Sequence, residues 1–227
     1  SGFGACFADV STGEALFTQS NEKDPERRII NELSKFSPKE ILYNGKFLDF
    51  KKAADFVKTR LRCVADTQPD TAYDQKTCLR AVLSQFNAPD LEALELKGKT
   101  FALYAVGSLV AYLRETQKAG AQRLTVLRSY SEEQYLSIDF TARRNLELTE
   151  TLRSKEKRGS LLWVLDQTKT AMGKRLMRKY LEQPLASIPQ ITRRQSAVAE
   201  LVGKTMDRCE LTEALSGVHD LERLMTK

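Results

Sequence analysis

The side chains able to do chemistry in this chain are spread along it rather than gathered. Asp9 ends an apolar run, Phe3–Val10, and is followed by Ser11-Thr12-Gly13-Glu14. A carboxylate at a strand end can hold a divalent cation. A two-metal nuclease site would need several such groups converging on metals about 4 Å apart. The partners would have to be Glu14, Glu40 or Asp74, and their order and spacing form no obvious cluster. Asp9 reads instead as a strand-end or turn-capping residue. Met172-Gly173-Lys174-Arg175 contains the Gly-Lys step of a phosphate loop. A Walker A loop also needs a glycine where Thr168 stands and a hydroxyl where Arg175 stands, so the cradle of amides and the magnesium ligand are both missing. Gly173 is read as a small residue allowing close helix packing beside an exposed basic pair. His219 is the single histidine and neighbours Asp220. Adjacent helix residues point about 100° apart, so the two are no catalytic pair, and His219 reads as polarity on a helix surface. One histidine also excludes mechanisms that need two, including most zinc hydrolase sites.

The basic doublets Arg143-Arg144 and Arg193-Arg194, with Arg175, Arg178 and Lys179, could contact phosphates. They could equally form ion pairs, since Glu147 follows Arg143 by four and Glu182 follows Arg178 by four. No aromatic residues are interleaved with them as a single-strand stacking surface would require, and the ion-pair reading is preferred. The net charge of +6 is spread thinly, +2 over residues 1–127 and +4 over residues 128–227. That fits a solvated surface as well as it fits nucleic acid. Cys6, Cys63, Cys78 and Cys209 include no Cys-x-x-Cys pair, so no disulfide framework is expected, and a reducing, cytoplasmic compartment is. No run approaches the ~18 apolar residues of a membrane span, and no signal peptide is recognisable.

The elements that must position these residues fall into two classes. Residues 3–19 read as a β-hairpin around Ser11–Glu14, with Phe3–Val10 a strand buried on both faces. Asp24-Pro25-Glu26 opens a helix carrying Ile29, Ile30, Leu33 and Phe36 on one face. Glu40–Tyr43 reads as a strand, Phe50–Leu61 as a helix, Asp66–Asp74 as a loop, and Leu79–Phe86 as another helix. From Thr100, read as an N-cap, comes a helix apolar on two sides and hence buried on two sides, closed by Gly120 as its C′ residue. After about Leu127 the periodicity becomes helical, apart from a possible short strand at Tyr135–Ile138. Asp139 or Thr141 caps a helix to Leu152, Ser154–Gly159 is a turn, and Leu161–Leu165 is apolar all round. Met172, Leu176, Tyr180 and Leu181 form one stripe, Ile191, Val198, Leu201 and Val202 another, and Leu211, Leu215 and Val218 begin a last one. Two domains, residues 1–127 and 128–227, are therefore expected, an α/β domain with a small mixed sheet and an all-α one, hinged near residues 118–132. The chain lacks an initial Met and stops at Glu222–Lys227 with no helix-ending signal; a piece of a longer protein is the simplest expectation.

Asp139-Phe140-Thr141-Ala142-Arg143-Arg144-Asn145-Leu146-Glu147-Leu148 resembles the opening of the core, or lever, domain of the MutS family of DNA mismatch-recognition proteins. Leu162–Asp166, Thr168, Thr170, Met172–Leu176 and Leu181–Leu185 follow that family's order and spacing. Ile191, Arg194, Val198, Leu201 and Asp220–Leu224 continue it. Phe7–Glu14 is similar to the start of the family's connector domain. The resemblance implies a ribonuclease H-like connector without nuclease activity, followed by the first part of a helical core. It implies a role in linking a mismatch-binding domain to levers and an ATPase, and a connector face for a MutL-type repair factor. The whole protein it points to is a homodimer that binds mismatched double-stranded DNA, with ATP and magnesium in an ATPase domain not represented in these residues. For this piece the resemblance implies no catalytic, cofactor or metal site, and it leaves DNA-contacting residues open. Two alternatives stand beside it: a ribonuclease H-like nuclease with a helical appendage, and a general helical DNA-binding module.

The failed phosphate loop generates a first prediction. Adding ATP and magnesium leaves the melting temperature of this chain unchanged, because a ligand that binds only the native state must raise apparent stability. A specific, ATP-dependent upward shift in a thermal melt would contradict it.

Overall fold

A computed structural model of the chain describes residues 2–21, 24–61, 63–130 and 135–224. The chain divides into two compact units, Ser1–Tyr130 and Ser131–Met225. Residues 131 and 132 of the expected hinge, and residues 225–227, lie outside the described residues.

The first unit mixes helices with small sheets. Strand β1 (Phe3–Asp9) pairs antiparallel with β2 (Glu14–Ser20), from Phe3 opposite Ser20 to Asp9 opposite Glu14. The turn between them is tight, and Gly13 takes φ +74°, a left-handed conformation that glycine adopts without steric cost. Strand β5 (Val126–Ser129) pairs parallel with β2, which makes a three-stranded mixed sheet in the order β1-β2-β5. The buried central strand is thus β2. The apolar run of β1 lies at the sheet edge and is mostly half-buried, not buried on both faces as expected. Strands β3 (Glu40–Tyr43) and β4 (Val64–Thr67) form a separate parallel pair. The segment expected as a loop from Asp66 therefore begins inside a strand and contains a turn of 3₁₀ helix at Asp70–Tyr73.

Helix α1 (Pro25–Phe36) starts as its sequence dictates: the Asp24 side chain accepts from the Arg27 N–H and Pro25 occupies the first helical position. Helices α2 (Lys51–Thr59) and α3 (Gln75–Gln85) follow, and Asp74 caps α3 by accepting from the Thr77 N–H. The core forms around α4 (Thr100–Thr116), where Ala102, Leu103, Val106, Val110 and Leu113 are buried with Ala15 and Phe17 of β2 and Cys78 and Val82 of α3. Its second apolar side is less covered than expected: Phe101 is exposed, and Ala105, Leu109 and Tyr112 are half-buried.

Two glycines permit this packing. A Cβ on Gly4 would lie 2.2 Å from the Phe101 carbonyl, and one on Gly107 would lie 2.6 Å from Cys78 Cα. Thr100 is not the cap of α4. Its first amides are satisfied from β2, where Gln19 Oε1 accepts from the N–H groups of Phe101 (2.9 Å) and Ala102 (3.1 Å). Gly120 is not a C′ residue either: α4 ends at Thr116, and Gly120 lies inside α5 (Lys118–Arg123), where a Cβ would meet Val10 at 2.9 Å.

The second unit is helical. Its elements are α6 (Phe140–Asn145), α7 (Leu161–Leu165), α8 (Ala171–Glu182), α9 (Ile188–Gly203), α10 (Thr205–Ser216) and α11 (Leu221–Leu224). Asp139 caps α6, accepting from the Ala142 N–H at 2.7 Å. That helix does not reach Leu152. Glu147 turns to φ +47°, and the carbonyls of Glu147 and Leu148 accept instead from the N–H groups of Leu161 and Leu162. Tyr135–Ile138 contributes one antiparallel bridge, Tyr135 to Leu185, rather than a strand. Ser160 caps α7 and Thr170 caps α8. The last stripe is broken before Val218, since α10 ends at Ser216. Among the described residues, none in α8, α9 or α10 is buried, and no helix is long and apolar enough to cross a membrane.

The close contacts around α4 set an expected outcome for two substitutions. Gly4→Ala places a methyl against the Phe101 backbone, which cannot rotate away, and is expected to destabilise the first unit by about 1–3 kcal/mol. Gln19→Ala leaves two helix amides without their acceptor and costs about 1 kcal/mol. Urea unfolding followed by far-UV circular dichroism measures both. Midpoints equal to that of the unmodified chain would show that β1 and β2 do not approach α4 this closely.

Candidate functional site

The candidate carboxylates of the first unit are each committed to separate local tasks. Asp9 Oδ1 accepts from the Ser11 N–H (2.8 Å) and the Ser11 hydroxyl (2.6 Å), and the Asp9 carbonyl accepts from the N–H of Gly13 (2.9 Å). It closes the hairpin turn. Glu14 lies 3.6 Å from Arg128 of β5. Glu40 accepts a very short hydrogen bond from the Tyr112 hydroxyl, and this bond pushes the tyrosine pKa up. Asp74 holds the start of α3, accepting from the N–H (2.8 Å) and hydroxyl (2.9 Å) of Thr77. These hydrogen bonds to its charged form hold its carboxyl below the ordinary range. Among the described residues, no group of three or more His, Cys, Asp and Glu side chains is placed to hold a metal ion.

Gly173 sits in the first turn of α8, where its N–H donates to Thr170 Oγ1 at 2.9 Å. A Cβ there would meet that same oxygen at 2.9 Å and Thr168 Cβ at 3.2 Å. The glycine is therefore small to fit its own capping loop, not a second helix, and Lys174 beside it is exposed. His219 is also exposed, but it lies between α10 and α11 rather than on a helix.

Asp220 turns away to the second unit's best-formed ion pair. Its two oxygens accept from Arg175 Nη1 (2.8 Å) and Nη2 (2.7 Å) of α8, and Arg223 Nε lies at 3.7 Å. This bidentate geometry ties the start of α11 to α8. The Arg175 guanidinium, first among the causes, holds the Asp220 carboxyl down to about 2. The sequence offered no local signal for the pair, because its members are 45 positions apart.

The other arginines are largely spent inside the unit. Arg178 pairs with Glu182 at 2.9 Å as its spacing predicts. Arg143 does not pair with Glu147. The helix ends too early for that pair, so Arg143 Nη2 donates to the Glu182 carbonyl at 3.3 Å, while Glu147 Oε1 accepts from the Leu152 N–H at 2.6 Å. Arg194 stacks over the Tyr180 ring at 3.6 Å, and Arg144 lies 5.9 Å from the Phe140 ring centre. These aromatic partners are adjacent only in space, on neighbouring helices or one turn away. Asp166, almost fully buried, accepts from Lys157 through a very short contact and from Thr168 Oγ1 at 2.6 Å. Together these lower its pKa and join the segments on either side of α7 at its C-terminal end. The arrangement can hold helices in register.

The Arg175–Asp220 pair predicts a pH signature. A carboxyl depressed in the fold contributes stability that is complete above its ordinary value of 3.8 and is lost as pH falls through about 2. Asp220→Asn is expected to lower stability at pH 7, and its difference from the unmodified chain is expected to shrink as pH falls from 4 towards 2. Paired urea titrations across that range check the sign; a difference independent of pH would show that the pair is not formed.

Both units match known proteins. Residues 1–128 match the family model for MutS domain II, and residues 141–227 match that for MutS domain III. The chain is 40% identical to the DNA mismatch repair protein MutS of Lachnoclostridium phytofermentans over 99% of its length and 24% of that protein's. It is 38% identical to the MutS of Alkaliphilus oremlandii over 100% of its length and 26% of the relative's, and 39% identical to that of Thermosynechococcus vestitus over 98% and 26%. It thus spans about a quarter of the length of the curated relatives it matches. On these matches, spread over both units and in the same order, the chain belongs to the MutS family of DNA mismatch repair proteins, of which its residues represent domains II and III.

Proposed function

We propose that this chain is the mechanical middle of a MutS-type mismatch repair protein. It links a mismatch-binding domain to the levers and the ATPase, and its first unit offers a surface to a MutL-type repair factor. One observation carries the reading: both units match consecutive MutS domains, while Asp9 and Asp74 are engaged in turns and caps and Arg175 and Arg178 in internal ion pairs. The first unit is proposed to be a ribonuclease H-like scaffold that serves as a connector. The whole protein is proposed to be a cytoplasmic homodimer that binds mismatched double-stranded DNA and hydrolyses ATP with magnesium. ATP and metal belong to its ATPase domain, and this piece takes no cofactor of its own.

The DNA part of the proposal follows from charge. With +6 spread over 227 residues, the chain has only a diffuse, salt-sensitive attraction for phosphate, and binding of that kind has a Kd of about 10⁻⁴–10⁻⁶ M. Discrimination needs groups that read base edges or exploit a deformable step. The expected result is weak binding to duplex DNA, equal for matched and mismatched sequences, that weakens as salt is raised. Side-by-side titrations near physiological salt test it. A reproducible tenfold preference for the mismatch, about 1.4 kcal/mol, would show that this piece reads DNA itself.

A further inference from the structure

Tyr130 is the residue at which the chain leaves the first unit, and it is held there from three directions. Its N–H donates to the Phe17 carbonyl of β2 at 3.0 Å. Its hydroxyl donates to Glu32 Oε2 of α1 at 2.5 Å. Its ring lies 4.5 Å beneath the Lys35 ammonium and 5.5 Å from the Phe36 ring. Glu32 is 1% exposed and Lys35 8%, and Arg28 Nε approaches the second Glu32 oxygen at 3.1 Å. Burying a carboxylate is costly unless it is both paired and hydrogen-bonded.

Strand β5, which Tyr130 follows, needs such a fastening. It has four residues, pairs among the described residues with β2 alone, and exposes Val126 and Arg128. A short strand held along one edge opens at low cost compared with the unit's core.

We infer that the Glu32–Tyr130 contact is a latch that sets where the chain leaves the first unit. With the latch closed, the connection to the second unit begins after Tyr130. With it open, Val126–Tyr130 peels from β2, and the connection gains up to about 17 Å of extended chain. On the proposed linking function, on which this inference rests, that choice sets the length of the tether between the units.

The chain supplies its own probes for the test. Cys78 is buried in the first unit's core and half-buried Cys6 packs against it, and burial pushes their thiols up to about 11 and about 12. Nitroxide labels therefore go to Cys63 in the first unit and to the exposed Cys209 in the second. Tyr130→Phe removes one hydroxyl from a bond to a carboxylate, a loss expected to speed exchange of the Tyr130 amide about tenfold. The α4 amides of Val106 and Val110 should exchange as before, and the distance distribution between the labels should broaden. Glu32→Gln, which keeps the side-chain shape, should reproduce both changes. An unchanged Tyr130 amide overturns the latch. So does equal acceleration in α4, which would make the contact a contributor to global stability alone, or faster exchange with no broadening between the labels in either variant.

Discussion

Helix α4 has too much apolar surface to stand in water, and burying it requires backbone to approach backbone closely on two sides. Gly4 on β1 allows the sheet to reach the Phe101 carbonyl, and Gly107 allows α3 to cross at Cys78. Interiors are packed densely enough that a single methyl at either place would force a shift. Once the helix is that close, its start is also closed by a neighbour: Gln19 of β2 accepts from its first amides. Gln85 of α3 does the same for the end of α5, donating to the carbonyls of Ala121 (2.6 Å) and Leu124 (2.9 Å). Packing and hydrogen bonding thus act together: the elements that bury α4 also satisfy backbone groups at its start and at the end of the helix that follows.

The same economy runs through the polar residues at turns and helix starts. Asp9, Asp24, Asp74 and Asp139 each accept from amides within three residues of themselves, at a turn or a helix start. A carboxylate so held has an oxygen engaged by its own turn or helix start. The long-range pairs work at a larger scale: Arg175 with Asp220 joins α8 to α11, and Arg143 joins α6 to the end of α8.

The two units are stabilised by different means. The first has a contiguous buried core. The second buries Leu148, Leu162 and Ser160 where the 146–162 segment folds back on itself, and otherwise relies on caps, ion pairs and the Arg194–Tyr180 stack. Its apolar stripes are present where periodicity places them, yet Val198 and Val202 remain 62% and 65% exposed. Hydrophobic period forms a helix; a neighbour is what buries it.

What the sequence determined by itself is what depends on a few consecutive residues. Asp24-Pro25, Asp139 and Ser11-Thr12-Gly13 act on amides within a turn of themselves, so the first helix, the α6 cap and the hairpin were all legible. The failed phosphate loop was legible for the same reason, as was the ordered string of motifs that identified the family. What only the tertiary structure decided involves partners far apart in the chain. Gln19 caps a helix that begins 81 residues later, β5 joins the sheet beside β2, and Glu32 is buried against Tyr130, 98 residues on. Arg143 is diverted to Glu182 because the backbone of Glu147 is claimed by Leu161. Local geometry fixes a cap or a turn whatever the rest of the chain does. The choice of a distant partner is made only when burial removes water and leaves each polar group one acceptor or donor within reach.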